Sequence, residues 1–400
     1  MNIFQEESTK TLLGVGLVSS FNLVFTFLFY TLLLEKLGQE AYGEYFMILN
    51  YALVISGICD LGLNISAQKY FHAFKKIGEN GFDLIVILYR SKIFILFCIL
   101  SLLGSGVLQD IENLGIIAGL AFVQISFNHV LTILQIKRDE KRYIPYLFLG
   151  GLIRLVVVLI LPSNWLDLLI VSSLIFAFPS MIVVIREWRL LKGSVRKIVG
   201  TAHLRYLFKE NIWLNLATLV VALYIRMDFF VLETFGTAGE IGIFSSAFTY
   251  CLMIPPLVAV VSSTLLVRIA SFESVFLYRN FARIVSASAL LGLIGLYAVL
   301  RYYLEFVRLL SPEDLLVFTL IYVGIGCTLV VKPFGLIIHF FDRDRFIFHL
   351  NGVQLVLGTI LSIFSYENLG VKGVAISFMI VQLIGNLFVY VFSNSLIKKS

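Results

Sequence analysis

Arg154, Arg226, Lys332, His129, Asp60 and Asp228 each fall inside a long apolar run of this 400-residue chain. An ionised side chain at the centre of a bilayer costs about 2.5–3.5 kcal/mol on insertion scales, unless it faces a bundle interior or water. Such residues therefore mark a candidate binding path. Arginine offers a planar fork of donors and lysine a mobile point charge, so Arg154, Lys332 and Arg226, with the protonatable His129, suit an anionic group such as a pyrophosphate. The two acids, Asp60 and Asp228, suit coupling to a proton or sodium gradient. Burial raises a carboxylate pKa and a neighbouring arginine lowers it, and the sequence does not say which prevails. For each residue taken singly, pairing with a carboxylate or carbonyl to hold helices together is the plainer alternative. As a set, the cations outnumber the acids. Arg226 and Asp228, two residues apart on one helix, do not face one another.

The elements that must carry these residues are membrane helices. The chain is 59% hydrophobic and 14% charged, with a mean hydropathy of +0.95, too little polar surface to coat a globule of this size. A spanning helix needs about 20 apolar residues, and the sequence predicts twelve: TM1 Thr11 to Leu34, TM2 Glu44 to Gln68, TM3 Leu84 to Leu108, TM4 Leu114 to Ile136, TM5 Tyr143 to Leu161, TM6 Leu166 to Ile185, TM7 Tyr206 to Leu232, TM8 Ile241 to Val267, TM9 Ala282 to Leu304, TM10 Leu315 to Phe341, TM11 Arg345 to Tyr366 and TM12 Val371 to Leu396. TM1 is too long for a signal peptide and lacks a small-residue cleavage site. Arg154 lies about eleven residues into TM5, about 17 Å along the axis and near the midplane. Lys332 sits at similar depth in TM10, directly before Pro333, a helix-bending residue that with Pro179, Pro255 and Pro256 lies inside a span. Asn22, Asn50, Gln124, Asn128, Gln382 and Asn386 either line a hydrated path or bond helix to helix.

Most of the 31 Lys and Arg residues, Lys92 among them, sort to one face. By the positive-inside rule that face and both termini are cytoplasmic. The net charge of +6 is then a topology signal with some attraction to anionic lipid, and a nucleic-acid partner is unnecessary. Cys59, Cys98, Cys251 and Cys327 lie in spans without paired spacing, which argues against zinc and disulfides. No cofactor is expected beyond a coupling proton or sodium ion.

The sequence also repeats itself. LEKLGQEAYGEY (Leu34 to Tyr45) resembles LETFGTAGEIGIF (Leu232 to Phe244) with one inserted residue, and KRDEKRYI (Lys137 to Ile144) resembles FDRDRFI (Phe341 to Ile347). Under this alignment Lys332 corresponds to His129. The expected fold is an all-α membrane protein of twelve helices in two pseudo-symmetric six-helix lobes around a central cavity: residues 1–190, a basic cytoplasmic linker 191–205 and residues 206–400. The segment from Arg186 to Asn211 reads as an amphipathic, positively charged anchor on the inner leaflet.

The LG..AYG.Y turn after TM1, DLGLNISAQKYF (Asp60 to Phe71) and YIRMDFFVLETFGTAGEIGIFSSAF (Tyr224 to Phe248) together resemble the polysaccharide biosynthesis flippases. These are the Wzx-type, O-antigen branch of the superfamily that also holds multidrug-extruding MATE transporters and lipid II flippases. The resemblance covers the whole chain. It implies alternating access in a bacterial inner membrane, with an undecaprenyl-pyrophosphate-linked oligosaccharide moved from the cytoplasmic to the outer leaflet. Membrane lipids and the polysaccharide polymerase and assembly machinery are the partners it implies.

Two other classes compete. A cation-coupled multidrug or small-metabolite antiporter of the same superfamily would depend on its acids, whereas a flippase would depend on its cations. A polytopic enzyme acting on lipid-linked sugar would carry a substantial outer loop, and the expected outer loops, such as Leu161 to Leu166, are a few residues long. The pair Asp342 and Asp344 falls in a tight turn and fits topology better than catalysis.

Overall fold

The structure is a computed structural model that describes residues 24–62, 81–104, 111–137, 152–160, 212–251, 254, 275–308, 310–341 and 343–399. TM6, the basic linker, most of TM5, Asn22, Pro179, Pro255, Pro256 and Asp342 lie outside the described residues. Among the described residues every regular element is helical: α1 (24–37), α2 (Gln39–Asp60), α3 (Gly81–Gly104), α4 (Ile111–Lys137), α5 (152–160), α6 (Ile212–Tyr224), α7 (Met227–Phe235), α8 (Ala238–Cys251), α9 (Val275–Tyr302), α10 (Pro312–Phe340), α11 (Asp344–Leu369) and α12 (Val371–Lys399). Six stretches among the described residues are long and apolar enough to cross a membrane: Gln39–Asp60, Ile212–Phe235, Ala282–Val307, Pro312–Ile338, Asp344–Leu369 and Val371–Leu396.

Two compact units emerge, Met1–Glu44 with Met227–Ser400, and Tyr45–Arg226. In the Tyr45–Arg226 unit, Ala52, Ile55 and Cys59 of α2 share a buried core with Leu96 of α3 and with Ile117, Ala121 and Ile125 of α4. Gly57 brings α2 hard against α6, since a Cβ there would stand 2.7 Å from that of Ala222. TM2 was expected to run to Gln68, but the helix ends at Asp60. Leu61 and Gly62 take positive φ values of 43° and 68°, a left-handed exit that Gly62 makes easy and that Leu61 tolerates at some cost.

In the other unit, α10 and α11 both pack along α12. Gly370, with φ of 60°, ends α11 and returns its N–H to the Tyr366 carbonyl at 2.8 Å, so α12 starts at once. The α11 helix is inside out. Its buried positions are Asn351, Gln354, Gly358 and Ser362, while Val353, Val356, Leu357, Ile360 and Phe364 face outward. That arrangement suits a lipid surround, where apolar groups cost nothing outside and polar groups need partners within.

The start of α8 is fixed by a reciprocal cap. The Thr237 N–H donates to Glu240 Oε2 at 2.9 Å, and the Glu240 N–H donates to Thr237 Oγ1 at 3.3 Å, the T-x-x-E pattern of a capping box. The first turn of α2 lies against this helix. A Cβ on Gly43 would meet the Ala238 carbonyl oxygen at 2.7 Å and the Gly242 nitrogen at 2.9 Å, and one on Gly242 would collide with the Gln39 carbonyl. Beside them Tyr42 Oη and Thr249 Oγ1 share a buried hydrogen bond of 2.6 Å. In the same unit Phe229 packs edge to face on Phe244 and Phe248, at centroid distances of 5.1 and 5.4 Å, and those two rings stack on each other.

The run expected as one continuous TM7 is broken. A turn at Ile225 and Arg226 separates α6 from α7, closed by a hydrogen bond from the Arg226 N–H to the Leu223 carbonyl at 3.0 Å. Helix α9 ends differently, in a π-helical turn over Tyr303–Val307. The Arg308 guanidinium that follows donates to Tyr303 Oη at 3.1 Å and to the Thr31 carbonyl of α1 at 3.1 Å.

Candidate transport site

Asp60 is the last residue of α2, where the helix carbonyls point outward and an anion is electrostatically disfavoured. Lys92 Nζ compensates at 2.6 Å from Asp60 Oδ1, with the lysine side chain 1% and the aspartate 21% exposed. Lys92 was expected on the cytoplasmic face. Its side chain is buried within its unit, where the Asp60 carboxylate gives the ammonium a partner.

His129 of α4 is 4% exposed. Its ring lies 4.8 Å from that of Tyr89, whose hydroxyl shares a 2.9 Å hydrogen bond with Ser126. Nδ1 of His129 has no hydrogen-bond partner among the described residues. Lys92 lies close enough to act on this imidazole electrostatically, so Asp60 and His129 converge on a residue that the sequence reading did not count as interior. The signal was present, since Lys92 lies eight residues into TM3, about 12 Å along the axis and inside its apolar run.

Arg154 is half-buried on α5. Arg226 occupies the turn between α6 and α7, and its Nη1 donates to Asn50 Oδ1 of α2 at 2.6 Å. The Arg226 to Asn50 bond ties the end of this broken helix to α2. Gln124 and Asn128 form a 3.4 Å pair on α4, and Asn386 bonds Thr328 at 3.2 Å and the Gln382 carbonyl at 2.9 Å. These amides link helices or successive helical turns.

Asp228 lies in the first turn of α7, the opposite situation to Asp60, because free N–H groups there favour an anion. It is 1% exposed. Ser362 of the inside-out α11 donates to its Oδ1 at 2.7 Å, and Oδ2 has no hydrogen-bond partner among the described residues. Lys332 is half-buried on α10, directly before Pro333. No ion pair joins it to Asp228 among the described residues. The two acids thus differ in kind: one is paired with an internal ammonium, and the other keeps a buried oxygen without a hydrogen-bond partner among the described residues. No cluster of His, Cys, Asp and Glu that could hold a metal ion occurs among the described residues.

Solved structures give this arrangement a context. A MATE transporter crystallised in the bent conformation matches 98% of this chain and 96% of its own length, with a TM-score of 0.60 and 15% identity. An inward-facing multidrug resistance MATE family transporter of the MOP superfamily matches over 94% of this chain and 95% of its own length, with a TM-score of 0.55 and 15% identity. The chain shares the MATE transporter fold. A third MATE structure, in complex with MaL6, superposes with a TM-score of 0.60 at 16% identity over 98% of this chain. No protein-family model and no curated protein matches the sequence. The MATE-like fold and the several apolar spans, with every described element helical, make this chain a multi-pass membrane protein.

Proposed function

We propose that this chain is a secondary transporter that exports a small organic or multidrug-type substrate in exchange for a proton or sodium ion, by alternating access of two lobes. The match of nearly the whole chain to MATE structures, one of them a multidrug resistance transporter, carries this reading. Asp228 is the acid suited to the exchanged cation, since one carboxylate oxygen is oriented by Ser362 and the other, buried, has no hydrogen-bond partner among the described residues. Twelve helices, lobes of 1–190 and 206–400 joined by the basic linker, and cytoplasmic termini complete the proposal. The test is efflux of a fluorescent cationic dye from cells and proteoliposomes, with imposed proton or sodium gradients. Gradient-dependent efflux supports antiport, and its absence under both gradients with a range of dyes removes it.

A second reading is kept alive by Lys332. An interior ammonium without an ion-pair partner among the described residues suits an anionic head group better than a cationic drug. With Arg154, Arg226 and His129 it supports a bacterial inner-membrane flippase for undecaprenyl-pyrophosphate-linked oligosaccharide. Under that reading Lys332→Ala lowers flipping about tenfold, as expected for one lost charge-assisted contact of about 1.4 kcal/mol, while the protein still inserts. Mass spectrometry of polyprenyl-linked oligosaccharide in a deletion strain decides between the two. Accumulation reversed by the wild type but not by Lys332→Ala supports the flippase, and unchanged lipid pools with altered drug sensitivity support the antiporter.

A further inference from the structure

We propose that Lys92 is a tethered cation: its ammonium occupies, at the C-terminal end of α2, the position beside Asp60 that a mobile monovalent cation would otherwise fill. Three features of the site call for a positive charge. The carboxylate sits on the last residue of α2, so the terminal carbonyls of the helix add their partial negative charge to its own. The left-handed conformation of Leu61 and Gly62 interrupts the helix directly after the acid. Helix ends of this kind, with unwound carbonyls and an acid, are where membrane transporters hold sodium or a proton.

Beside the helix end, α6 presents oxygen atoms. Gly62 lies so close to α6 that a Cβ there would meet Thr218 Oγ1 at 2.9 Å and Asn215 Oδ1 at 3.2 Å. From α3 comes Lys92 itself, which also acts electrostatically on His129 of α4, whose ring lies against Tyr89. Cys59 precedes the acid on α2 and feels both charges of the pair. The Lys92 side chain, 1% exposed against 21% for Asp60, approaches the carboxylate from the packed interior, and at 2.6 Å its ammonium leaves no room for an ion between them. A covalently attached ammonium already held beside the carboxylate binds it intramolecularly, so a solution cation would have to displace it. The Tyr45–Arg226 unit then exchanges no cation at Asp60, although the sequence alone marks that acid for coupling.

The binding claim stands whether or not the chain is an antiporter; only its corollary, that Asp228 is the acid left to exchange, rests on the proposed function. The test is radioactive sodium binding to purified protein, with infrared detection of protonated carboxyl groups as a second readout. In the wild type, Asp60→Asn is expected to change neither. Lys92→Met is expected to gain about one equivalent of sodium, or a new protonated-carboxyl band if the proton is the cation taken. Adding Asp60→Asn to Lys92→Met should erase the gain. Lys92→Arg, which keeps the charge, should behave as wild type. Where Met at position 92 prevents folding, Lys92→Gln serves as the open variant. Sodium binding in the wild type that Asp60→Asn removes would overturn the proposal, and so would a monodisperse Lys92→Met protein that gains neither sodium nor a protonated carboxyl.

Discussion

Asp228→Asn is expected to lower gradient-driven transport about 100-fold, or roughly 2.7 kcal/mol, while leaving the melting temperature of the protein unchanged or higher. The two effects have opposite signs for one reason. An amide keeps the shape of the side chain and can still accept the Ser362 hydroxyl at the oxygen now held at 2.7 Å. It no longer carries a charge in a buried site where one oxygen has no hydrogen-bond partner among the described residues. Desolvating an unpaired carboxylate is costly, so the fold gains by losing it, and an exchanged cation loses its counter-charge. Proteoliposome flux under imposed proton and sodium gradients, with a thermal melt of the same preparation, checks both halves. A variant that keeps wild-type gradient-driven flux removes Asp228 from the coupling scheme. One that loses flux and melting temperature together makes the acid a structural residue.

The second large effect is on folding. Gly242→Ala is expected to destabilise the unit that holds α8 by about 3 kcal/mol, the upper part of the usual overpacking range, because the new methyl meets the carbonyl of Gln39. Backbone cannot swing aside as a long side chain can. Gly43→Ala should act in the same direction through the Ala238 carbonyl and the Gly242 nitrogen. The matched controls are Gly115 and Gly292, each with nothing within 4 Å of an added Cβ. Alanine at either control site should be neutral or stabilising by up to about 1 kcal/mol, the helical preference of alanine over glycine. Fluorescence-detected size exclusion and thermal melts of the four variants give the comparison. Equal melting temperatures across all four would show that the two helices separate more easily than their spacing suggests.

Much of the scaffold was legible because a membrane helix announces itself by a long apolar run. TM10, TM11 and TM12, expected over Leu315–Phe341, Arg345–Tyr366 and Val371–Leu396, correspond closely to α10, α11 and α12. The turn at Gly370 and the capping pattern from Thr237 to Glu240 were also there to be read, since both rest on residue types with a local mechanism. The break at Ile225 and Arg226 was not. No glycine or proline marks it, and an averaged hydropathy is blind to a single turn that leaves the helix path. The candidate site was legible in its residue types more than in its pairings. Depth singles out Asp60 and Asp228 alike, yet one is met by Lys92 and the other by Ser362. That difference comes from partners distant in sequence, which spacing along one helix cannot reveal.

The close approach of α2 and α8 has a meaning beyond tight packing. Gln39 and Gly43 in the first copy of the repeated turn are the counterparts of Ala238 and Gly242 in the second. Gly43 faces the carbonyl of Ala238, and Gly242 faces the carbonyl of Gln39. Each glycine thus meets the partner of its own equivalent, the reciprocity that a two-fold axis imposes on a homodimer interface. The chain carries such an isologous contact within a single polypeptide. Glycine at either position is required by the backbone of the other copy, so the two codons answer to one shared constraint and neither can drift on its own.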